Sequence, residues 1–370
     1  MPTDDPAAPP PPSNRRAVIA TIFNQKGGVG KTTTSVNLAT CLAAGGVRVL
    51  VIDFDPQGSA TANLGLIGRP VPGSYELLMT GTLSATLMQT TAFPGVMLCP
   101  AGDALAGADL ELAICTDAQN LLRQALHNAR VPIDVIIIDC PPTLSMLALN
   151  ALVASDAVVM PVTPDPMARD VLHRAWRHIQ RIRSTLNPNL AIAGVVLTMV
   201  HDNPVHREFE QTIRGELGNR VLPVAIPFDT AILGSSRHDL PVCVFAPQSA
   251  AAQAYLALAA VIQDRMSALS RPVAQPAAFC DDTDGAEPAC VMTPVPGFSH
   301  DTAAAALRFW SSKAGHTEPP APVTKAATVA APTAGRAPAS GWHSPDRITG
   351  FAAGCVLGIV LTLLARAIGL

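Results

Sequence analysis

Residues 24–37 read NQKGGVGKTTTSVN and place two lysines, Lys26 and Lys31, around three glycines. Gly27, Gly28 and Gly30 carry no Cβ, so their backbone N–H groups can close on the oxygens of a phosphate chain. Val29 and Thr33 complete the loop. Lys31 has the reach to neutralise β- and γ-phosphates, and the Thr32 hydroxyl suits a Mg²⁺ ion. The usual pattern, G-x-x-x-x-G-K-[ST], has glycine where this chain has Gln25. One lysine suffices for such a loop, so the second requires a reason.

Carboxylates recur where that chemistry would need them. IDFDPQG puts Asp53 and Asp55 two apart at the end of an apolar run, on one side of an extended chain. In open α/β sheets that edge carries the ligand, and paired carboxylates there suit Mg²⁺ ordering and the positioning of a water. An Asx-type turn before Pro56 is the plainer alternative. DVIIIDCPP ends a third apolar run in Asp139, a single strand-end acid able to hold Mg²⁺ directly or through water.

The elements that must position these residues alternate along the chain. β-branched runs at 17–23, 47–53, 134–140, 156–162, 192–198 and 221–226 are separated by stretches of helical spacing. One such stretch, 33–44, is closed by Gly45-Gly46. Apolar strands separated by helices predict an α/β fold, a mostly parallel sheet with helices on both faces, over residues 16–269. Residues 1–15 are rich in proline and alanine and are expected to be disordered. Residues 270–347 share that composition and are expected to form a tether, with one island, 303–313, able to make a short helix. Residues 348–365 carry no charge, which predicts a transmembrane helix over 348–366 with Arg366 at its far end.

Composition excludes some classes. Charged residues are 14% of the 370 and the net charge is -3, so nothing points to a nucleic-acid-coating protein. The eight cysteines form no C-x-x-C pair, which argues against a zinc ribbon or thioredoxin-type site. The N-terminus has no apolar signal-peptide region. Residues 168–183 carry Arg174, Arg177 and Arg181 on one helical face, read as a solvated face rather than a phosphate-binding one.

KGGVGKTT (26–33), DFDPQG (53–58), DCPP (139–142) and PQSAAAQAYLALA (247–259) together resemble the ParA/MinD family of deviant Walker A P-loop ATPases, over about 16–268. The resemblance implies ATP and Mg²⁺ as cofactors, with Thr32, Asp53 and Asp139 around the metal. It implies a homodimer formed on ATP binding, in which Lys26 crosses to the nucleotide of the second subunit. Asp55 would orient the attacking water. Hydrolysis would be slow and stimulated by a protein partner. By similarity to MinD-like members, Pro227 and Asp229 would lie around the adenine. Many chromosomal ParA members carry arginines where this chain has Phe228 and Ala231, and that departure weighs against DNA. The expectation is an ATPase that positions or partitions a cargo, fixed by its C-terminal helix to a bacterial inner membrane with its ATPase domain in the cytoplasm. The alternatives are a DNA-partitioning ATPase and an ATP-switched subunit of an envelope or polysaccharide secretion machine.

Overall fold

The computed structural model describes residues 16–66, 71–129, 131–269 and 297–314. The segments 1–15, most of 270–347, and 348–366 lie outside the described residues, and so do the expectations placed on them. Among the described residues no helix is long and apolar enough to cross a membrane.

Eight strands make one sheet: β1 Val18–Ile22, β2 Val49–Asp53, β3 Gln89–Thr90, β4 Val96–Cys99, β5 Val135–Asp139, β6 Ala157–Val162, β7 Ala191–Val200 and β8 Val221–Pro227. Their order is β3-β4-β2-β5-β1-β6-β7-β8. All neighbours are parallel except the short edge strand β3, which pairs antiparallel with β4. The six predicted strands are present. The apolar runs carry them because both faces of the sheet are covered. Val18, Ala20 and Ile22 of β1 enter the core on one face, and Ile19 enters the core on the other. In β5, Val135 and Ile137 divide in the same way from Ile136 and Ile138. This explains why the strands read as continuous apolar runs and not as alternating ones.

Helices Lys31–Ala44, Val242–Phe245 and Ala250–Leu269 contribute to the core on one face, and Leu121–His127, Met146–Ala154 and Ala168–Thr185 to the core on the other. From β1 the chain builds β2, β3 and β4 on one side, returns to place β5 between β2 and β1, and then crosses to β6, β7 and β8 on the other side. β1 is therefore the switch point of the sheet, and the crevice above its carboxyl end is where such a fold places a ligand.

The island at 303–313, read as able to make a short helix, is helical. Part of the supposed tether is folded: residues 300–313 form a helix, with the Ser299 hydroxyl accepting from the Thr302 N–H at its start. It packs against helices Lys31–Ala44, Val242–Phe245 and Ala250–Leu269. Ala303 and Leu307 are buried, and the Trp310 ring lies 6.3 Å from that of Phe93. The Phe298 ring occupies the space beside Gly45, where a Cβ would come within 2.5 Å of it. Composition suggested a loose chain because the buried face is built largely of alanine, which composition alone does not distinguish from linker.

Candidate functional site

The loop between β1 and helix Lys31–Ala44 crosses the carboxyl edge of the sheet at its switch point. Gly28 and Gly30 both have left-handed backbones, with φ of 74° and 82°, a conformation that costs a side-chain-bearing residue free energy. Gly30 is also the cap of the helix, and its carbonyl accepts the Thr34 N–H at 2.8 Å. The N–H groups of the first helical turn therefore face the crevice with the positive end of the helix dipole. Gly27, Gly28, Gly30, Lys31, Thr32, Thr33, Asp55, Pro142 and Met199 line a cleft of about 270 Å³ there.

Lys31 is buried, and its ammonium donates to the Lys26 carbonyl at 3.0 Å. Burial pulls its pKa below the ordinary lysine value, and the nearby Asp139 and Asp55 oppose that pull. A phosphate chain in the cleft would give this cation the partner it lacks. The Thr32 hydroxyl donates to Asp139 at 2.7 Å, and the Ser35 hydroxyl donates to the other oxygen of the same carboxylate at 2.8 Å. Asp53 is paired in register with Asp139 across β2 and β5, and both are fully buried. Burial, and after it the neighbouring Asp139, raises Asp53 well above the usual carboxylate range; burial raises Asp139 as well. Two buried acids this close call for a cation.

The donor set fits Mg²⁺ in the way nucleotide sites hold it. Among the described residues no group of three or more His, Cys, Asp or Glu could hold a metal unaided. Mg²⁺ commonly takes one or two protein ligands, with phosphate oxygens and waters completing its octahedron. Thr32 and Asp139 are placed to be those ligands. Asp53 is turned elsewhere: one oxygen accepts the N–H and the hydroxyl of Thr61, each at 2.7 Å, and the other faces the Asp55 N–H at 3.3 Å. Its observed work is to hold the loop from β2 to Thr61 in place. Asp55 forms the Asx turn, accepting the Gln57 N–H at 3.0 Å, and still lines the phosphate cleft.

Lys26 does not turn into its own cleft. It makes an ion pair with Asp165, just beyond β6, and Thr163 donates to the same Asp165 oxygen. Gln25 is held by His178 at 2.8 Å. Consecutive loop residues are thus gripped by helix Ala168–Thr185 and by the turn that leads into it.

A second, largely apolar pocket of about 70 Å³ adjoins the loop, lined by Thr33, Thr198, Met199, Ile226, Phe228, Ile232, Leu233 and Tyr255 among others. Phe228 and Leu233 are exposed, and the Phe228 ring stacks on His201 with centroids 4.5 Å apart. Pro227 ends β8 just behind this pocket and pairs in register with Val200. Asp229 lines it, but both carboxylate oxygens accept backbone N–H groups, from Ala231 at 2.9 Å and from Ala251 at 3.0 Å. The expectation of an adenine-reading carboxylate thus meets a side chain already engaged in capping two helices.

Sequence reasoning did not find Ser35, Thr61, Asp165 or His178. Asp165 alone left a signal, since it follows an apolar strand just as Asp139 does.

A family model described as an AAA domain matches residues 17–192. The chromosome partitioning protein ParA of Caulobacter vibrioides is 39% identical over 252 residues, covering 67% of this chain and 94% of that protein. The chain belongs to the ParA family of P-loop ATPases. The sporulation initiation inhibitor protein Soj of Bacillus subtilis is 37% identical over 243 residues, covering 65% of this chain and 96% of its own. Among solved structures, the ParA-type fold recurs in a cobyrinic acid a,c-diamide synthase from Mycobacterium smegmatis with bound ATP analog and magnesium. That match has 30% identity and a TM-score of 0.58, over 67% of this chain and 95% of the other. The cell division ATPase MinD of Pyrococcus furiosus shares the fold, with a TM-score of 0.56 at 23% identity over 67% of this chain and 99% of the other.

Proposed function

We propose that this chain is a partitioning ATPase of the ParA kind, which binds ATP with Mg²⁺, pairs face to face with a second copy around the nucleotide, and hydrolyses it slowly. The observation that carries the reading is the division of labour between the two lysines. Lys31 lies buried beneath the phosphate cleft, whereas Lys26 points away from it and is held by Asp165. A cation so placed is turned away from its own cleft, and on release from Asp165 it could serve another subunit's nucleotide.

ATP with Mg²⁺ supplies the electrophilic phosphorus and a counter-charge for it. The chain's own residues do the rest. The loop N–H groups and Lys31 hold the phosphate oxygens. Thr32 and Asp139 would hold Mg²⁺, and Ser35 holds Asp139 in place. Asp55 sits at the cleft on a turn whose geometry is braced by Asp53 and Thr61, so it can hold a water in line with the bond that breaks. Lys26 of a second copy would then neutralise the charge that develops on the transferred group. Hydrolysis is slow in a single subunit because that last cation is absent from the cleft.

Names of relatives such as chromosome partitioning protein ParA favour a DNA cargo for this chain. A second reading, permanent attachment to a membrane with another cargo, is favoured by the uncharged run 348–365. Gel filtration of the full chain with ATP and Mg²⁺, against ADP, tests the core of the proposal: a dimer only with ATP is expected, and a monomer in both refutes it. Cell fractionation of the full chain and of one ending at residue 347 then separates the readings. A membrane pool that depends on 348–370 supports attachment, and a soluble pool in both leaves DNA partitioning.

A further inference from the structure

Helix Lys31–Ala44 starts at the phosphate loop and ends at Gly45, a length of about 21 Å. It is tied to the C-terminal helices at three levels. At the nucleotide end the Thr34 hydroxyl lies 3.4 Å from that of Tyr255, a residue that also lines the base pocket. Half-way along, Asn37 accepts the Cys243 N–H at 3.1 Å, and the sulfurs of Cys41 and Cys243 lie 3.1 Å apart. At the far end, residues 297–314 lie across the set. They pack against Lys31–Ala44 and against Val242–Phe245 and Ala250–Leu269, with Phe298 over Gly45.

The elements bridged in this way hold different parts of the nucleotide site. Helix Lys31–Ala44 presents Lys31 and Thr32 to the phosphates. Helix Ala250–Leu269 is fastened through its Ala251 N–H to Asp229, in the loop that walls the base pocket. A nucleotide must touch both parts at once, so whatever fixes their spacing sets part of its affinity. The docking is also light. Phe298, Leu307 and Trp310 are its large apolar side chains, and Ala303, Ala304 and Ala306 fill the rest of the face. Alanine buries little area, so the seating of this helix rests mainly on Phe298, Leu307 and Trp310.

We infer that residues 297–314 are a detachable brace that holds the phosphate-binding and base-binding parts of the nucleotide site together, so that docking of this helix raises nucleotide affinity. This rests on the reading of the cleft as a nucleotide site, and it makes the chain beyond residue 314 a handle on that site. A pull or a partner acting there would loosen the nucleotide without touching the cleft.

The test uses the full chain kept in mild detergent, a fluorescent ATP analogue with Mg²⁺ as the probe, and brief trypsin treatment as the measure of docking. Cleavage after Arg308 is slow while the helix is seated. Leu307→Asp should unseat it through the buried position, and Gly45→Ala through the Phe298 ring. The Gly45 backbone, at φ −79°, suits alanine, so the second variant acts mainly through the Phe298 ring, with a lesser approach to the Leu42 carbonyl. Both should speed cleavage after Arg308 and weaken analogue binding about fivefold or more. Gly45→Ala combined with Phe298→Ala removes the collision and should recover part of the affinity. Should Leu307→Asp fail to fold, Trp310→Ala takes its place. Faster cleavage with unchanged affinity overturns the inference, as does unchanged cleavage in all the variants. If the unmodified chain itself fails to bind the analogue, the nucleotide reading falls, and not the brace alone.

Discussion

Asp165→Asn should tighten the ATP-dependent dimer. In the single subunit the Lys26 ammonium is paired with Asp165, and the two side chains retain 32% and 28% of their exposure. Burial alone would raise the Asp165 pKa. Hydrogen bonds from Lys26, from the Thr163 hydroxyl and from the Met167 N–H outweigh it, and the carboxyl is held below its ordinary range. Asp165 is therefore fully ionised near neutral pH and competes for Lys26 with any phosphate offered by a second subunit. A partly exposed pair of this kind is worth about 1 kcal/mol, which corresponds to about a fivefold change in dissociation constant per subunit. Asparagine removes the charge, keeps an oxygen for the Met167 N–H, and places an amide NH₂ where the Thr163 hydroxyl, which can also accept, now donates. Two such pairs open when the dimer forms, about 2 kcal/mol in all, so sedimentation velocity with a non-hydrolysable ATP analogue should show the dimer forming at about 25-fold lower concentration, and less so at high salt. The same substitution in a Lys26→Ala background should have no effect. A dimer that is unchanged or weaker in Asp165→Asn, or an equal gain with and without Lys26, would refute the reasoning.

The other substitutions separate the roles within the cleft. Lys31→Ala should abolish ATP binding measured by calorimetry, whereas Lys26→Ala should leave binding near that of the unmodified chain and lose the dimer. Equal loss of binding in both would count against a role for Lys26 in the second subunit's cleft. Asp55→Ala should leave Thr32 and Asp139 to hold Mg²⁺ and should slow phosphate release by at least about a hundredfold, consistent with loss of a positioned water; normal turnover would sink the assignment. Gly73→Ala should cost about 1–3 kcal/mol in urea unfolding, because a Cβ there would stand 1.9 Å from the Pro100 carbonyl oxygen.

What the sequence disclosed divides by distance along the chain. The loop glycines, Lys31 and Thr32 declare themselves because their chemistry is set within one turn of backbone, and Asp53, Asp55 and Asp139 because each closes an apolar strand. The strand Val96–Cys99 escaped notice because four residues carry too little pattern, and its place beside β2 comes from tertiary pairing. Ser35 and Thr61 act on carboxylates far from them in sequence, or across a loop, and no spacing rule predicts such a meeting. Asp229, expected near the adenine, also caps two helices through bonds that only the folded chain brings to it. The brace was visible as an apolar island at 303–313. Its meaning depended on a groove that no local stretch describes.

The two glycines after helix Lys31–Ala44 look alike in a gene but answer to different selective pressures. Gly46 adopts φ 96° and is required by the turn itself. Gly45 has an ordinary backbone that alanine could share, and the Phe298 ring is the nearest group that a side chain there would meet. Position 45 is thus constrained by an encoded segment far downstream. A descendant that discards residues 297–314 would be released to accumulate replacements at 45 while keeping 46. Position 45 can therefore serve as a genetic marker of the brace, recording its presence or loss even in a gene fragment that stops short of it.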